Sequence, residues 1–368
     1  MKKKNLCKTL LKTMCIVLGI LILALLAYIV YLYASYYRIE DNQELVVEAP
    51  VDDTTTGAAA VLATDTEYSA VTYNIGFGAY LPDYSFFMDG GTSSWAESPE
   101  TVQYAINGAG ELVKSLDPDF ALIQEIDLDA TRSYHTDEYE MLRNILPEYT
   151  TVFAQNYDSA FLFYPFTQPH GSSRAGLGLF SKYPVSSALR RSFPISTSFS
   201  KFFDLDRCYS VSRIPVDNGK ELMIFNLHMS AYGNSDEIRK GQIEMLCNDM
   251  AKEYEAGNYV LCGGDFNHDL KASEEDTESC ESWAFPFPRT ELPEHFAFCL
   301  DLLSSEEREA LWNSARNADM EYVPGVTYTV TLDGFIISDN IECRSYENVN
   351  TGYSYSDHDP VKVEFALK

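Results

Sequence analysis

The sequence has few basic residues and no closely spaced pair of cysteines. Its 368 residues include 27 Lys and Arg against 55 Asp and Glu, which gives a formal net charge of −28 at pH 7. A surface of this charge repels polyanions at long range, so it argues against tight binding of nucleic acid through phosphate neutralisation alone. It does not exclude a hydrolase that meets phosphate through a metal ion. None of the eight cysteines stands in a CxxC spacing, which argues against a zinc site.

The first 38 residues differ from the rest of the chain in charge and hydropathy. They hold six basic residues and no acidic one, and no charged residue occurs between Lys12 and Arg38. This apolar run is long enough to cross a hydrocarbon core of about 30 Å as a helix. The charges on its two sides predict a single-pass anchor in the cell membrane, with the N-terminus in the cytoplasm and the bulk of the chain outside. A cleavable signal peptide is the competing interpretation, although its apolar core is usually shorter.

The rest of the chain divides into a short polar segment and one large domain. Residues 39–66 are acidic, rich in Thr and Ala and without a sustained hydrophobic period, which predicts a flexible stalk. Over 67–368, short β-branched or aromatic runs alternate with helical stretches, and polar residues collect where the runs end. This alternation predicts a layered α/β domain over 67–368, preceded by the stalk and by an anchor over 1–38.

The most informative segment reads GGDFNHD, over 263–269, and follows the apolar run YVLC. Two glycines allow a tight backbone, so Asp265 and Asn267 can project from one loop beyond a buried strand. A carboxylate and an amide two residues apart can hold a water molecule and bind a phosphoryl oxygen. An Asx-rich turn without a catalytic role explains this segment, taken alone, equally well.

A second segment, SDHDP over 356–360, stands immediately before the last apolar run. His358 can exchange protons or stabilise phosphate near neutral pH, and the adjacent Asp357 can bind a cation. Asp333 lies inside the buried-looking run VTLDGFII, where an unpaired charge is costly, so we expect His358 to be its partner. Taken alone, a DH pair before proline is common in turns.

Three more polar residues stand at the ends of apolar runs or within them. Glu125 follows the run FALI and is well placed as an oxygen ligand for Mg²⁺, which prefers one or two carboxylates and keeps several waters. Asn74 ends the run AVTYN, and His228 lies in ELMIFNLHM. Each also has an ordinary interpretation, as a helix-terminal acid, a turn residue and a buried structural histidine respectively.

The order N, QE, NLH, GDFN, LDGFI and SDH is far more specific than any of its parts. It resembles the endonuclease/exonuclease/phosphatase superfamily over roughly residues 68–368. The resemblance implies an α/β fold, a four-layered α/β-sandwich of two packed β-sheets flanked by helices, preceded here by one transmembrane helix. It also implies a metal-dependent hydrolase of phosphoester bonds, with Mg²⁺ as the expected cofactor and Mn²⁺ or Ca²⁺ as alternatives.

The resemblance assigns roles to the eight residues. The implied metal ligands are Asn74, Glu125 and Asp357. The implied catalytic residues are His228, Asp265, Asn267, Asp333 and His358. Asp265 would position or deprotonate water, while Asp333 would orient His358.

The sequence departs from the family pattern at two points. Some members have a second carboxylate two residues after the early Asn, whereas this chain has Gly76, so metal coordination would depend more heavily on Glu125. The catalytic tyrosine of some members matches no single position here, and the candidates are Tyr134, Tyr157 and Tyr164.

The substrate class stays open at this point. The expected partners are the membrane, through the N-terminal helix, and a phosphoester of nucleic acid, a phospholipid headgroup or an organic phosphate, with no obligate protein partner. A phosphodiesterase or nuclease-like enzyme is the first expectation. The alternatives are a lipid- or sugar-phosphate phosphatase or sphingomyelinase-like enzyme, and a catalytically inactive surface binding module.

Two further sets of residues have alternative interpretations. The aromatic runs at 161–166 and 284–288 are either exposed contacts for lipid or bases, or ordinary packing. Five arginines either line a phosphate pocket or pair with the abundant carboxylates: Arg174, Arg190, Arg191, Arg207 and Arg213.

Overall fold

The computed structural model describes residues 2–52, 61–202, 204–231, 236–273 and 284–368. The chain divides into two compact units, residues 1–38 and 39–368. The first unit is formed by helix α1, Lys2–Ser35. An 18-residue stretch of its segment Leu6–Ser35 has a mean hydropathy of 2.9, so the helix is long and apolar enough to cross a membrane.

The second unit consists of two large β-sheets, one small sheet and helices. Its helices are α2 (Pro99–Leu116), α3 (Glu138–Ile145), α4 (Asp236–Glu255) and α5 (Ser305–Ala310). The strands up to α4 are β1 (Gln43–Glu44), β2 (Val47–Glu48), β3 (Glu67–Asn74), β4 (Phe120–Ala130), β5 (Thr150–Leu162), β6 (Gly171–Ser181), β7 (Ser187–Ser192), β8 (Cys208–Pro215) and β9 (Glu221–His228). The remaining strands are β10 (Tyr259–Asp265), β11 (Phe296–Phe298), β12 (Ala315–Arg316), β13 (Thr329–Val330), β14 (Asp333–Ser338), β15 (Ile341–Asn348) and β16 (Val361–Leu367).

The two large sheets pack face to face. One has the strand order β1-β7-β8-β9-β10-β14-β11, and the other has the order β15-β16-β3-β4-β6-β5-β2. Leu122 and Leu179 of the second sheet share one buried core with Leu222 and Leu261 of the first. Helices α2 and α3 cover the second sheet, and α4 packs against β10 of the first. The predicted four-layered α/β-sandwich is therefore confirmed.

The local sequence explains where α2 begins and ends. Ser98 caps the first turn by accepting a backbone hydrogen bond, Pro99 follows it, and Asp117 ends the helix in the left-handed conformation. Ile106 and Val113, seven residues apart, are buried on the same face of the helix. That face packs on the second sheet, which allows α2 to connect the parallel strands β3 and β4.

The flexible stalk predicted for residues 39–66 is wrong for the parts of that segment that the structure describes. Strand β1 pairs with β7, and β2 pairs with β5, so this segment extends one edge of each large sheet. The Ile39 N–H donates to Asp206 Oδ2 at 2.7 Å, and Leu62 is fully buried. Residues 53–60 of the predicted stalk lie outside the described residues. The folded unit thus begins at Ile39 rather than at Glu67.

The physical reason for this difference is the hydrogen-bonding capacity of sheet edges. An edge strand presents unpaired N–H and C=O groups, and a nearby segment of almost any composition can pair with them. Side chains add to this pairing, because Asp41 accepts hydrogen bonds from the Ser192 N–H and from Arg191 Nε. Burial of Asp41 alone would raise its pKa, but these bonds and the Arg191 charge outweigh that effect and lower it.

Candidate active site

The candidate residues meet where the parallel strands of the two sheets end. Strand β10 ends at Asp265, which lies opposite His228 on β9 and opposite Asp333 on β14. In the other sheet β3 ends at Asn74, which lies opposite Gln124 on β4. Because parallel strands have their carboxyl ends at the same edge, these side chains lie close together across the two sheets.

This edge opens into a pocket of about 520 Å³. Six of the eight predicted residues line it: Glu125, His228, Asp265, Asn267, Asp357 and His358. The other two, Asn74 and Asp333, do not line the pocket but contact residues that do. Asn74 Nδ2 donates to Glu125 Oε1 and Asp265 Oδ2, both at 3.1 Å, and Asp333 Oδ2 lies 2.7 Å from His358 Nδ1. The structure therefore brings all eight residues together, while their catalytic roles stay predictions.

Asp265 is the most enclosed carboxylate in the pocket. It is 1% exposed, and its Oδ1 accepts a hydrogen bond of 2.8 Å from the Asn267 N–H. Burial, and then the charge of Asp333, raise the pKa of Asp265 to about 7, against the opposing influence of His358 and the hydrogen bonds. A carboxylate with a pKa near neutrality can accept a proton at physiological pH.

The backbone before Asp265 requires glycine. Gly264 has φ 146°, and a Cβ atom there would lie 2.1 Å from the carbonyl oxygen of Leu227 on β9. Strand β10 can therefore approach β9 closely only with glycine at this position. The close approach sets Asp265 beside His228.

His358 is held by a chain of hydrogen bonds that ends on Ser314. Asp333 Oδ2 accepts from Ser314 Oγ at 2.7 Å and lies 2.7 Å from His358 Nδ1. Burial alone would lower the pKa of His358, but the charges of Asp333, Asp265 and Asp357 outweigh it and raise that pKa well above its ordinary value. The predicted Asp333–His358 pair is confirmed as a contact.

Asp265, Asp333 and His358 also have ligand atoms within 4.8 Å of one another, as in a metal site. Asp333 Oδ2 is engaged with Ser314 and His358, whereas Asp333 Oδ1 has no hydrogen-bond partner among the described residues. The contacts of this cluster form a hydrogen-bonded chain from Ser314 through Asp333 to His358.

Glu125 reaches the pocket through a bulge in β4. The pairing of β4 with β6 shifts between Ile123 and Ile126, and Glu125 has the left-handed φ of 56°. A non-glycine residue in this conformation is strained, and bulges of this kind re-aim side chains at functional sites. Gln124 Nε2 donates at 2.8 Å to Asn226 Oδ1 of the other sheet and fixes the backbone under the bulge.

Asn74 positions the carboxylates rather than facing the pocket. Its Nδ2 donates to Glu125 and Asp265, and its Oδ1 accepts a 3.0 Å hydrogen bond from the Gly76 N–H. With the amide oxygen engaged in this way, the predicted role of Asn74 as a direct metal ligand is not what the geometry favours. We expect it to act through Glu125 and Asp265.

The oxygen ligands in the pocket fit a hard divalent cation. Glu125 and Asp357 both line the pocket. Burial, and then the charges of Asp357, Glu125 and Asp319, raise the pKa of Asp89 on the same wall to about 7. A cation bound by the carboxylates of Glu125 and Asp357 would offset this repulsion, and carboxylate oxygen is the ligand that Mg²⁺ prefers.

His228 provides a neutral imidazole beside Asp265. It is 2% exposed, and its Nε2 lies 3.4 Å from Asp265 Oδ2. Burial, and then the charges of Arg207 and His358, lower the pKa of His228 well below its ordinary value. The pKa values of the two histidines of the site are therefore shifted in opposite directions.

The structure distinguishes among the tyrosines and the aromatic runs. Tyr157 lines the pocket, whereas Tyr134 donates its hydroxyl hydrogen to Ala96 and Glu97 carbonyls and Tyr164 is exposed. In the run at 161–166 the exposed aromatic residues are Phe163, Tyr164 and Phe166. In the run at 284–288, Phe285 is half exposed and Phe287 is fully buried.

Sequence reasoning missed Ser314, Arg132 and Arg316. Ser314 carries no motif, and only the fold brings it to Asp333. Arg132 lines the pocket with Nε and Nη2 bound to Asp127, and its guanidinium carbon lies 3.7 Å from the ring centre of Phe77. Its position shortly after β4 is the one signal that the sequence offers.

Comparison with known proteins agrees with this geometry. Residues 71–302, well over half of the chain, match the model of the endonuclease/exonuclease/phosphatase family. No curated protein matches the chain by sequence. Enzymes of the family hydrolyse phosphoester bonds, and the chain belongs to the endonuclease/exonuclease/phosphatase family.

Solved structures show the same fold at low sequence identity. An endonuclease/exonuclease/phosphatase from Beutenbergia cavernae has a TM-score of 0.55 at 14% identity, covering 82% of this chain and 72% of that one. D. rerio TDP2 complexed with a single-strand DNA product has a TM-score of 0.54 at 13% identity, with 82% and 100% covered. The human Nocturnin catalytic domain with a bound sulfate anion has a TM-score of 0.52 at 17% identity, with 82% and 95% covered.

Proposed function

We propose that the chain is a Mg²⁺-dependent phosphodiesterase, tethered by its N-terminal helix with the catalytic domain outside the cytoplasm. One observation carries the proposal. Asp265, His228 and His358 converge beside Glu125 and Asp357 in one pocket, where burial and neighbouring charges raise the pKa of Asp265 to about 7, lower the pKa of His228 and raise the pKa of His358. Such a set can take a proton, bind phosphoryl oxygens and stabilise negative charge at neutral pH.

The residues have distinct tasks in this proposal. Asp265 accepts a hydrogen bond from the attacking water and takes its proton. His228 and Asn267 contribute to binding phosphoryl oxygens. His358, oriented by Asp333, places a positive charge where negative charge develops on the phosphoryl group.

Glu125 and Asp357 would hold the Mg²⁺, which supplies Lewis-acid stabilisation of a phosphoryl oxygen when bound. Asn74 bridges Glu125 and Asp265 by donating to both. Without that bridge the two carboxylates would repel each other and the pocket would lose its shape.

The orientation of the anchor rests on charge. The residues before the apolar run are basic and those after it are acidic, which supports an orientation with the folded unit outside the cytoplasm. Protease added to intact cells would then degrade the catalytic domain while leaving cytoplasmic proteins whole. A domain that resists protease until the cells are lysed would contradict this orientation.

A phospholipid headgroup is the second candidate substrate. The exposed rings of Phe163, Tyr164 and Phe166 favour it, because exposed aromatic residues are typical of surfaces that contact a membrane interface. Tyr164 also packs at 5.8 Å on Phe87, which is adjacent in sequence to the pocket residues Phe86 and Met88.

The test is a substrate comparison with the purified full chain in detergent. It is assayed with Mg²⁺ against bis(p-nitrophenyl) phosphate, p-nitrophenyl phosphate, single-stranded DNA, RNA, inositol phosphates and sphingomyelin. We expect cleavage of the aryl phosphodiester and of one natural class, and weaker cleavage of the aryl monoester, because the proposal is a diesterase.

The outcomes separate the alternatives. Preference for sphingomyelin would favour the lipid candidate, and preference for phosphomonoesters would identify a phosphatase and contradict the diesterase proposal. No cleavage of any substrate would contradict the catalytic proposal and favour a binding module.

A further inference from the structure

Three arginines line the pocket, and two of them have protein partners. Arg132 binds Asp127 through Nε and Nη2. Arg316 donates from both terminal nitrogens to backbone carbonyls, among them those of Leu81 and Asn317, and so ties two loops together. The third pocket arginine, Arg207, differs from both.

Arg207 is buried, and no carboxylate of the described residues pairs with it. It is 6% exposed, and its Nε and Nη1 have no hydrogen-bond partner in the part of the chain that the structure describes. The other four arginines noted in the sequence all pair with carboxylates: Arg174 with Asp129, Arg190 with Asp206, Arg191 with Asp41 and Asp249, and Arg213 with Glu221 and Glu253. The pairing alternative thus holds for four of the five, and the pocket alternative holds for Arg207.

An unpaired buried guanidinium is costly, because it loses its water and gains no acceptor. Buried polar groups are almost always hydrogen-bonded, so an exception at a pocket wall indicates a partner from outside the chain. Arginine presents its donors in a planar fork that matches the oxygens of a phosphate. A phosphate that enters with the ligand would supply the acceptors that Arg207 lacks.

The position of Arg207 is fixed by the first sheet. It stands immediately before β8, and the pairing of Tyr209 with Leu227 brings this end of β8 beside the end of β9 at His228. The Phe193 N–H donates to the Arg207 carbonyl at 2.9 Å and holds its backbone. Arg207 thus stands on the β8 side of His228, whereas Asp265 is on β10, on the other side of β9.

We infer that Arg207 forms a second anion subsite, which binds a phosphate group of the substrate other than the phosphoester that is cleaved. The substrate class is then an organic phosphoester that carries a further phosphate. The inference rests on the proposed function, because it takes Asp265 as the place of the reacting phosphoester. The reacting phosphate at Asp265 and the second phosphate at Arg207 are then separated by the width of β9 and by the side chain of His228.

The test measures binding, so it does not depend on turnover. The full chain in detergent with Mg²⁺ is titrated calorimetrically with propyl phosphate and with the bisphosphates of ethane-, propane- and butanediol. We expect one bisphosphate to bind the wild type at least about 10-fold more tightly than propyl phosphate, as one added charge-assisted contact predicts. In Arg207→Gln this preference disappears, while affinity for propyl phosphate stays close to that of the wild type.

Arg213→Gln is the matched control, since Arg213 lies on β8, the strand that begins directly after Arg207, but pairs with Glu221 and Glu253 outside the pocket. It should keep the preference for a bisphosphate. Arg207→Met should unfold at the wild-type temperature or a higher one, because it removes an unpaired buried charge. A clearly lower unfolding temperature for Arg207→Met would indicate a structural arginine and contradict the inference.

Two other results would overturn the subsite. One is a wild type that binds bisphosphates no better than propyl phosphate. The other is an equal loss of affinity for both kinds of ligand in Arg207→Gln, which would place Arg207 on the phosphate that they share. If the preference is present and depends on Arg207 but no phosphodiester is cleaved, the subsite stands and the proposed function fails.

Discussion

Replacing Asp265 by asparagine lowers the turnover of a phosphodiester by about 10³-fold or more at saturating Mg²⁺, as expected for loss of a general base. Asp265 is 1% exposed, and its two oxygens accept hydrogen bonds from the Asn267 N–H and Asn74 Nδ2. Asparagine preserves the size of the side chain, but it carries no negative charge and takes no proton from water. Steady-state hydrolysis of bis(p-nitrophenyl) phosphate by the wild type and by Asp265→Asn gives the ratio of their turnover rates.

Asp269→Asn is the control for this variant. Asp269 belongs to the same loop, but its Oδ1 accepts the backbone N–H groups of Lys271 and Ala272 and it does not line the pocket. Asparagine keeps that acceptor, so we expect turnover close to that of the wild type. Thermal unfolding of both variants checks the fold. Wild-type turnover in a folded Asp265→Asn chain would remove Asp265 from the mechanism.

Replacing Glu125 by glutamine raises the Mg²⁺ concentration needed for half-maximal turnover by about 10- to 100-fold, in line with the cost of disturbing a metal site. Glutamine fits the bulge as glutamate does, but it provides a neutral oxygen where the ion needs a charged one. Excess Mg²⁺ should therefore recover much of the lost rate. Turnover measured against Mg²⁺ concentration gives the shift.

Two comparisons make the Glu125 result specific. Asp129→Asn changes an acid on the same strand that pairs at the surface with His135 and Arg174, and it should leave the Mg²⁺ dependence unchanged. Excess Mg²⁺ should not rescue Asp265→Asn, because that variant lacks a proton acceptor rather than a metal ligand. An unchanged Mg²⁺ requirement in Glu125→Gln would contradict the metal-ligand role.

The positions of the site residues could be predicted because strand ends have a sequence signature. An apolar run that ends in Asn74, or in the GGD before Phe266, indicates a buried strand followed by a functional turn, and parallel strands bring such turns to one edge. The Asp333–His358 contact followed from the cost of a buried unpaired charge. Ser314 had no comparable signal, because its contact with Asp333 depends on a loop path that no periodicity encodes.

The start of the folded unit could not be read from the sequence. Strands β1 and β2 have two residues each, too short to show an alternation of apolar and polar residues. They form because β7 and β5 offer free edges, which is a property of the assembled sheets. The acidic composition that predicted a stalk is explained in part by Asp41, which binds Arg191 and the Ser192 N–H.

The partners of the arginines could not be read from the sequence either. Sequence reasoning left each of the five as either a pocket residue or an ion-pair partner. One partner of Arg191 is 58 residues away at Asp249, and one partner of Arg213 is 40 residues away at Glu253. Only the fold identifies such pairs and shows that Arg207 is the one of the five without a carboxylate partner among the described residues.

The central claim is that a metal ion and this pocket together hydrolyse a phosphodiester. The most direct measurement is the hydrolysis of bis(p-nitrophenyl) phosphate by the full chain after treatment with EDTA, and again after Mg²⁺ is restored, for the wild type and for Asp265→Asn. We predict that EDTA abolishes turnover by the wild type, that Mg²⁺ restores it, and that Asp265→Asn stays inactive throughout. Turnover that persists in EDTA and in Asp265→Asn would contradict the account.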